Sequence, residues 1–239
     1  MKLLIESWQN WVVTESVYDK KFEGSFQRFS YGTGDDYTYN FEVPDKNGVM
    51  NYYELSIAYT EILSRYTIML IRKIDKDGEP ESDEEAFGLS GTMGLRGAMA
   101  VFSETISGLK HFFSQKDKQD FVTVTLGAEG ASRIRFYDKI IDNLISSLPN
   151  LNLKLYKKKD GSTMRYFILN PEGFKKVAEE GIRGDGLAII ADFERRGFID
   201  LAKDLEDIYN IVNPDEAKEE PPPKETFEPD SLLGLLFNR

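Results

Sequence analysis

The chain has 239 residues, of which 41% are hydrophobic and 13% aromatic, enough to build the core of one large domain. Lys and Arg total 30 against 41 Asp and Glu, and the net charge of −11 disfavours binding to nucleic-acid phosphates or to an anionic membrane. The sequence contains no Cys, which excludes disulfides, thiolate chemistry and Cys-based metal sites, and its single His, His111, excludes a His-rich metal centre. We therefore expect no metal and no nucleic-acid partner.

The first residues, MKLLIESWQNW, carry one Lys and no long apolar region before Glu6, a pattern unlike a secretory signal. Apolar residues at helical spacing instead predict a short amphipathic helix over 3–13. No later stretch approaches the roughly 18 uninterrupted apolar residues that a membrane helix needs. We expect a protein that is not secreted by a signal peptide and does not bind a membrane.

Three strands are predicted after this helix. From Tyr37, aromatic residues alternate with polar ones, as is typical of a half-buried strand. Asn47-Gly48 is the strongest short hairpin signal, and it predicts a second strand over 49–59. An almost continuous apolar run over 66–74 predicts a third strand in the centre of a sheet.

The acidic sequence DKDGEPESDEE, residues 75–85, predicts a solvated connection. A calcium-binding loop is the more specific alternative for these residues. The acidic residues do not fall at the spacing that such a loop requires, so we expect no calcium site.

A glycine-rich turn marks the middle of the chain. A short strand over 87–90 leads to the turn over 91–98, which opens a helix with one apolar face. FVTVTL, residues 121–126, predicts the next strand, and an Ala-Glu-Gly turn connects it to a second helix that Pro149 ends.

The remaining sequence predicts a hairpin and three helices. Strands over 153–157 and 164–169 flank an Asp-Gly turn of the hairpin type. Asn170-Pro171 starts a helix in the favoured way, with Asn as the N-cap and Pro at the first helical position. Two further helices are expected, over 187–196 and 198–211.

The sequence changes character at Pro214. The run DEAKEEPPPKETFEPD is charged and Pro-rich, which predicts an extended linker. It leads to the abruptly apolar LLGLLF, and an apolar segment on an extended tether commonly docks in a groove of another chain. Docking onto its own domain is the alternative. The residues assigned to partner binding, or to self-association, are Leu232, Leu233, Leu235, Leu236 and Phe237.

This order of elements predicts an α+β fold, in which helices flank a mixed sheet and an extended acidic, Pro-rich tail follows. We divide the chain into four parts. They are the N-terminal helix and aromatic-rich lead-in (1–36), an α/β core (37–170), a C-terminal helical addition (171–212), and the linker with its apolar docking peptide (213–239).

The order within the core is three strands, glycine turn, helix, strand, helix and two strands, with SRIRFYDK in the second helix. This order resembles the GCN5-related N-acetyltransferase (GNAT) superfamily, over roughly half of the chain. In that family the glycine turn presents backbone amides at a helix N-terminus to the pyrophosphate of acetyl-CoA. The resemblance therefore implies a GNAT-like sheet.

The resemblance also implies a set of cofactor-binding residues: Gly91, Gly94, Arg96 and Gly97. The chain departs from the family turn at two of them. Gly91 stands where the family has Arg or Gln, and Arg96 stands where it has a second Gly or Ala. Arg96 either pairs with an anion or blocks close approach of the backbone. Tight turning and close packing explain the glycines without any cofactor.

In the family a Tyr of the second helix often protonates the leaving thiolate. Tyr137 is the matching position, so the resemblance implies Tyr137 as the catalytic acid. Tyr137 also lies on the apolar stripe of its helix beside Ile134 and Ile141, which favours a core aromatic. His111 lies near a helix C-terminus, where it acts favourably as a cation.

The runs GLRGAMAVFSETISGLKHFF and FVTVTLGAEGASRIRFYDKIIDNL look like a group of uncharacterised tailed-bacteriophage proteins. The first residues of the chain also resemble the starts of such proteins, including some that are packaged in the head. This resemblance implies a location in the host cytoplasm or the phage particle and says little about mechanism.

Three function classes follow. The first is a bacteriophage-type structural or interaction protein with a degenerate GNAT-like fold, which is not catalytic, needs no cofactor and docks partners through its apolar peptide. The alternative is an acetyl-CoA-dependent N-acetyltransferase. The third is an acidic mimic of nucleic acid. The charge pattern of the sequence does not support it, because basic residues are interspersed among the acidic ones.

Overall fold

The computed structural model describes residues 21–32, 34–73, 94–180 and 183–214. The strands among them are β1 (Gln27–Tyr31), β2 (Gly34–Pro44), β3 (Met50–Thr60), β4 (Arg65–Lys73), β5 (Thr123–Glu129), β6 (Lys154–Asp160) and β7 (Thr163–Leu169). The helices are α1 (Gly94–Ser114), α2 (Ala131–Ser147), α3 (Pro171–Glu179), α4 (Arg183–Arg195) and α5 (Ile199–Val212). The predicted helix over 3–13, the acidic connection, the strand over 87–90 and the apolar peptide lie outside the described residues.

The strands form one seven-stranded sheet in the order β1-β2-β3-β4-β5-β7-β6. The β4–β5 pair is parallel, and the other neighbouring pairs are antiparallel. The predicted α+β class, with a mixed sheet flanked by helices, is therefore confirmed. Strand β1 and the first residues of β2 precede residue 37, so the lead-in and the core share this sheet.

The side chain of Asp45 stabilises the turn of the predicted β2–β3 hairpin. Its Oδ1 accepts the backbone N–H of Asn47 at 2.7 Å and that of Val49 at 2.9 Å. Gly48 has a φ of 83°, a conformation that glycine adopts without strain. The Asn-Gly pair therefore forms the hairpin for the expected conformational reason.

Helices α1 and α2 cover one face of the sheet. Leu55 of β3 lies opposite Leu70 of β4, so their buried or half-buried side chains point to this same face. Phe112 and Phe113 of α1 both contact the ring of Tyr66 in β4 edge-to-face, with ring centroids 5.5 Å apart. This aromatic packing fixes the last turn of α1 near the start of β4.

Helices α3, α4 and α5 cover the other face at the β5-β7-β6 end. Phe167 of β7 contacts Phe193 and Phe198, with ring centroids 5.3 and 4.2 Å apart. Asn170 caps α3, as expected, because its side-chain oxygen accepts the Gly173 N–H at 3.2 Å. The three C-terminal helices thus share a hydrophobic core with the sheet. Among the described residues, no helix is long and apolar enough to cross a membrane.

Candidate functional site

The sheet opens between the parallel strands β4 and β5. Their register contains three residue pairs, of which the last is Thr67 with Thr125. Strand β4 continues to Lys73 and β5 to Glu129, so the strands separate toward their carboxyl ends. A crevice at the carboxyl ends of strands is where open α/β sheets bind ligands. This gap is therefore the candidate site.

Two helices begin toward this edge of the sheet. Helix α2 starts directly after β5, through Gly130 at a φ of 80°. Helix α1 connects β4 to β5, and its last turn packs on Tyr66 near the start of β4. Its first residue, Gly94, therefore lies toward the carboxyl ends of both strands. Helix N-termini carry partial positive charge, so both ends favour an anion at this edge.

Tyr137 of α2 reaches strand β4 beside this gap. The residue is 6% exposed, and its hydroxyl forms a hydrogen bond with the backbone of Leu70. This bond favours the phenolate form, so the Leu70 N–H is the donor. Leu70 lies beyond the last β4–β5 pair, where β5 has already moved away. Tyr137 thus bonds to the backbone of β4 at a point where β5 no longer pairs with that strand.

The environment of Tyr137 determines its protonation state. Burial raises its pKa to about 12, although the Leu70 bond and the charge of Arg133 oppose the shift. The hydroxyl is therefore protonated at neutral pH, as a general acid must be. A general acid must also reach the group that it protonates. This hydroxyl is buried and bonded to β4, so the described geometry places Tyr137 in the core.

Of the four residues implied for cofactor binding, Gly94, Arg96 and Gly97 lie at the start of α1. Gly91 is outside the described residues, and Gly94 is the first residue of the helix. Arg96 is exposed, whereas Gly97 is buried. Arg96 therefore points away from the buried region in which Tyr137 lies, and the absence of a side chain at Gly97 fits close packing of the helix.

A polar cluster lies at the β1–β2 hairpin. Asp35 accepts two hydrogen bonds from Arg28, at 3.1 and 2.9 Å, and one from Ser30 at 2.6 Å. The hydroxyl of Tyr37 donates to Asp35 and accepts from Lys118 at 2.9 Å. The hydrogen bond from Arg28, and then that from Ser30, holds the pKa of Asp35 below its ordinary value. The members of this cluster bond to one another, and these bonds stabilise the pairing of the edge strand β1 with the sheet.

His111 and the acidic residues form no metal centre in the described part of the chain. His111 is exposed, and its ring stacks on Phe22 with centroids 4.7 Å apart. Within the described ranges, no group of three or more His, Cys, Asp or Glu residues is arranged to hold a metal ion.

The sequence pattern identified Tyr137 but not its partner. The bond to Leu70 depends on how far β4 and β5 stay paired, and no residue pattern within either strand reveals that length. The same holds for the cluster around Asp35, because Lys118 comes from a distant connection. In both cases the polar partners lie on separate elements that only the fold brings together.

Comparison of the chain with models of protein families, with curated proteins and with solved structures finds no match. The functional argument therefore depends on the site itself.

Proposed function

We propose that the chain is a non-catalytic interaction protein with a degenerate GNAT-like fold, which docks its partners through the apolar segment 232–237. The non-catalytic part of this proposal rests on the closed gap between β4 and β5. Tyr137 is 6% exposed and its hydroxyl is bonded to Leu70 between the separating strands. A cofactor that enters between β4 and β5 has to displace this side chain and break its bond to the strand.

The connectivity supports the GNAT-like part of the proposal. The described chain passes through a β2–β3–β4 meander, α1, β5, α2, β6 and β7, the order on which the resemblance is based. The parallel β4–β5 pair separates after three residue pairs. The bacteriophage origin, and with it a place in the host cytoplasm or the phage particle, is supported by the sequence resemblance.

The docking role is supported by the chemistry of the last part of the sequence. Burial of three or four Leu and Phe side chains, at about 1.5–3 kcal/mol each, is enough to offset the ordering of a short peptide. The run Pro221-Pro222-Pro223 favours an extended linker, which allows the segment to reach beyond its own domain.

Deletion of residues 228–239 tests the docking role. We expect the melting temperature of the folded domain to stay nearly unchanged, while association of the chain with copies of itself, measured by light scattering, is lost. Leu236→Asp should have the same effect as the deletion because it places a charge in the apolar segment. Lys224→Gln, in the polar linker, is the matched control and should associate like the unaltered chain. A melting temperature many degrees lower, with assembly unchanged, means that the segment packs on its own domain and contradicts the proposal.

An acetyl-CoA-dependent N-acetyltransferase is the second candidate. The position of Tyr137 in α2 favours it, because its phenol is protonated at neutral pH and can donate a proton to the departing thiolate, although the raised pKa makes that transfer less favourable. In that reaction a substrate amine would attack the thioester carbonyl, the carbon–sulfur bond would break, the sulfur would take the phenolic proton, and the proton lost from the amine nitrogen would restore the phenol. This chemistry requires Tyr137 to leave Leu70 and acetyl-CoA to enter the gap.

A further inference from the structure

Three guanidinium groups surround one buried carboxylate at the C-terminal end of α4. Asp192 is 5% exposed, and it accepts a hydrogen bond from Arg195 Nη2 at 2.7 Å. Its Oδ2 also lies 2.9 Å from Arg196 Nε. Arg65, the first residue of β4, faces this pair from the sheet, with its Nη1 3.7 Å from the same oxygen. The helix and the sheet thus bring their positive charges to one place.

The cluster has more positive than negative charge. Three arginines surround one aspartate, in a chain whose net charge is −11. The 3.7 Å separation of Arg65 from Asp192 is too long for a hydrogen bond. The Nε of Arg65 and the Oδ2 of Asp192 are both buried, and neither has a hydrogen-bond partner among the described residues. A guanidinium that is mostly buried and incompletely bonded costs free energy, which a bound anion would offset.

Electrostatic repulsion within the cluster supports the same conclusion. Burial lowers the pKa of Arg65 and the neighbouring Arg196 lowers it further, whereas Asp192 opposes the shift.

Arginines near a helix C-terminus often bond to its last carbonyl groups. Here the ammonium of Lys158 bonds to the carbonyl oxygens of Arg196 and Gly197, at 2.8 and 3.2 Å. The carbonyl oxygens of Asp192, Phe193 and Glu194 in the last turn already accept backbone N–H groups of the residues that follow the helix, so capping does not account for the arginine side chains.

We propose that Arg65 and Arg196, with Arg195 at the rim, bind a phosphate-type dianion, either inorganic phosphate or the terminal phosphate of a small molecule. The planar guanidinium fork matches phosphate oxygens and keeps its charge at all working pH values. The exposed fractions of the side chains rise from 12% at Arg65 through 28% at Arg196 to 61% at Arg195. An anion that arrives from solvent therefore meets Arg195 first and Arg65 last.

Asp192 positions this site and does not contact the anion. Its hydrogen bond with Arg195 and its ion pair with Arg196 restrain these two arginines at the end of α4. Preorganised donors lose less conformational entropy when the ligand binds. A dianion neutralises the two excess positive charges of the cluster, so phosphate fits the charge balance better than a monocarboxylate.

Titration of the full chain with inorganic phosphate, at constant ionic strength, tests the proposal. Phosphorus NMR should show saturable binding, and the melting temperature should rise with phosphate concentration because the ligand stabilises the folded state. Arg65→Gln should weaken binding by about 10- to 100-fold, as expected for loss of charged hydrogen bonds worth about 1.5–3 kcal/mol. Glycerol phosphate serves as the second probe, and it shows whether the site takes a phosphate group on a small molecule as well as the free ion.

Arg196→Gln and Arg165→Gln complete the experiment. Arg196 is partly exposed, so its replacement tests the site even where Arg65→Gln fails to fold, and it should weaken binding to a similar extent. Arg165 lies on the β6–β7 hairpin, 50% exposed and paired with Asp160, and its replacement should leave binding unchanged. Failure of the full chain to show saturable binding of either probe, or equal weakening by Arg165→Gln, overturns the proposal.

Discussion

Tyr137→Ala is expected to lower the free energy of unfolding by about 3–5 kcal/mol, the range measured when a large buried aromatic side chain is truncated in a core. Tyr137 is 6% exposed, and its ring lies 5.7 Å from that of Phe136, edge-to-face. The truncation also leaves the Leu70 N–H without the tyrosine hydroxyl. Chemical denaturation of the full chain, followed by circular dichroism, measures the change.

Tyr137→Phe is the matched control for this prediction. It keeps the ring in the gap and removes the hydroxyl, so we expect a loss of only about 0.5–1.5 kcal/mol, the typical net contribution of one hydrogen bond. The contrast between the two variants measures the packing of the ring. If Tyr137→Ala costs no more than Tyr137→Phe, the ring does not fill the gap in solution, and the gap is open.

Gly173→Ala is expected to destabilise the chain by about 3 kcal/mol, the upper end of the usual cost of overpacking. A Cβ atom at Gly173 would overlap the carbonyl oxygen of Phe121 and lie 2.8 Å from its carbonyl carbon. The backbone beside Phe121 cannot move away easily. The N–H of Val122 donates to Ser64 at 2.7 Å, and the carbonyl oxygen of Val122 accepts from Asn170 at 2.8 Å. For a chain of this length, about 3 kcal/mol corresponds to a fall in melting temperature of roughly 6–12 °C.

Gly127→Ala provides the comparison for Gly173→Ala. A Cβ at Gly127 would meet only the Cγ2 of Thr163, at 3.9 Å, which is an ordinary contact. The position is exposed in β5, so we expect a change within about 1 kcal/mol, with stabilisation favoured because alanine restricts the unfolded chain. Equal melting temperatures for the two variants contradict the close approach of α3 to the backbone of Phe121.

The turns and caps could be predicted because their chemistry is local. Asn47-Gly48 forms a hairpin through the positive φ of its glycine, and Gly161 does the same between β6 and β7, at a φ of 61°. Asn170 caps α3 with its own side chain. In each case the residues that determine the conformation are neighbours in the sequence, so the pattern contains the required information.

Strand β1 was not predicted, because its stability does not come from its own pattern. All five of its residues are exposed, so it shows no alternation of buried and exposed positions. It is held by the register with β2 and by the bonds between Arg28 and Asp35. These interactions depend on a partner strand that the sequence of β1 does not specify.

Helix α4 begins at Arg183, before the predicted start at residue 187. The glycines of this segment predict an interruption of the helix, since glycine has a low helix propensity. In the structure, a Cβ at Gly186 would lie 2.9 Å from Cε2 of Tyr209, on α5. Close helix packing therefore requires a glycine inside the helix, and it outweighs propensity. The cluster around Asp192 was missed for a related reason, because Arg65 comes from β4.

Calorimetric titration of the full chain with acetyl-CoA, up to about 1 mM, the upper end of common KM values, tests the central claim most directly. A gap that Tyr137 fills cannot admit the cofactor, so we expect no saturable heat of binding, with Tyr137→Phe behaving in the same way because the ring remains. Saturable micromolar binding that is lost on Gly94→Phe would contradict the claim and establish an acyl-CoA site at the start of α1.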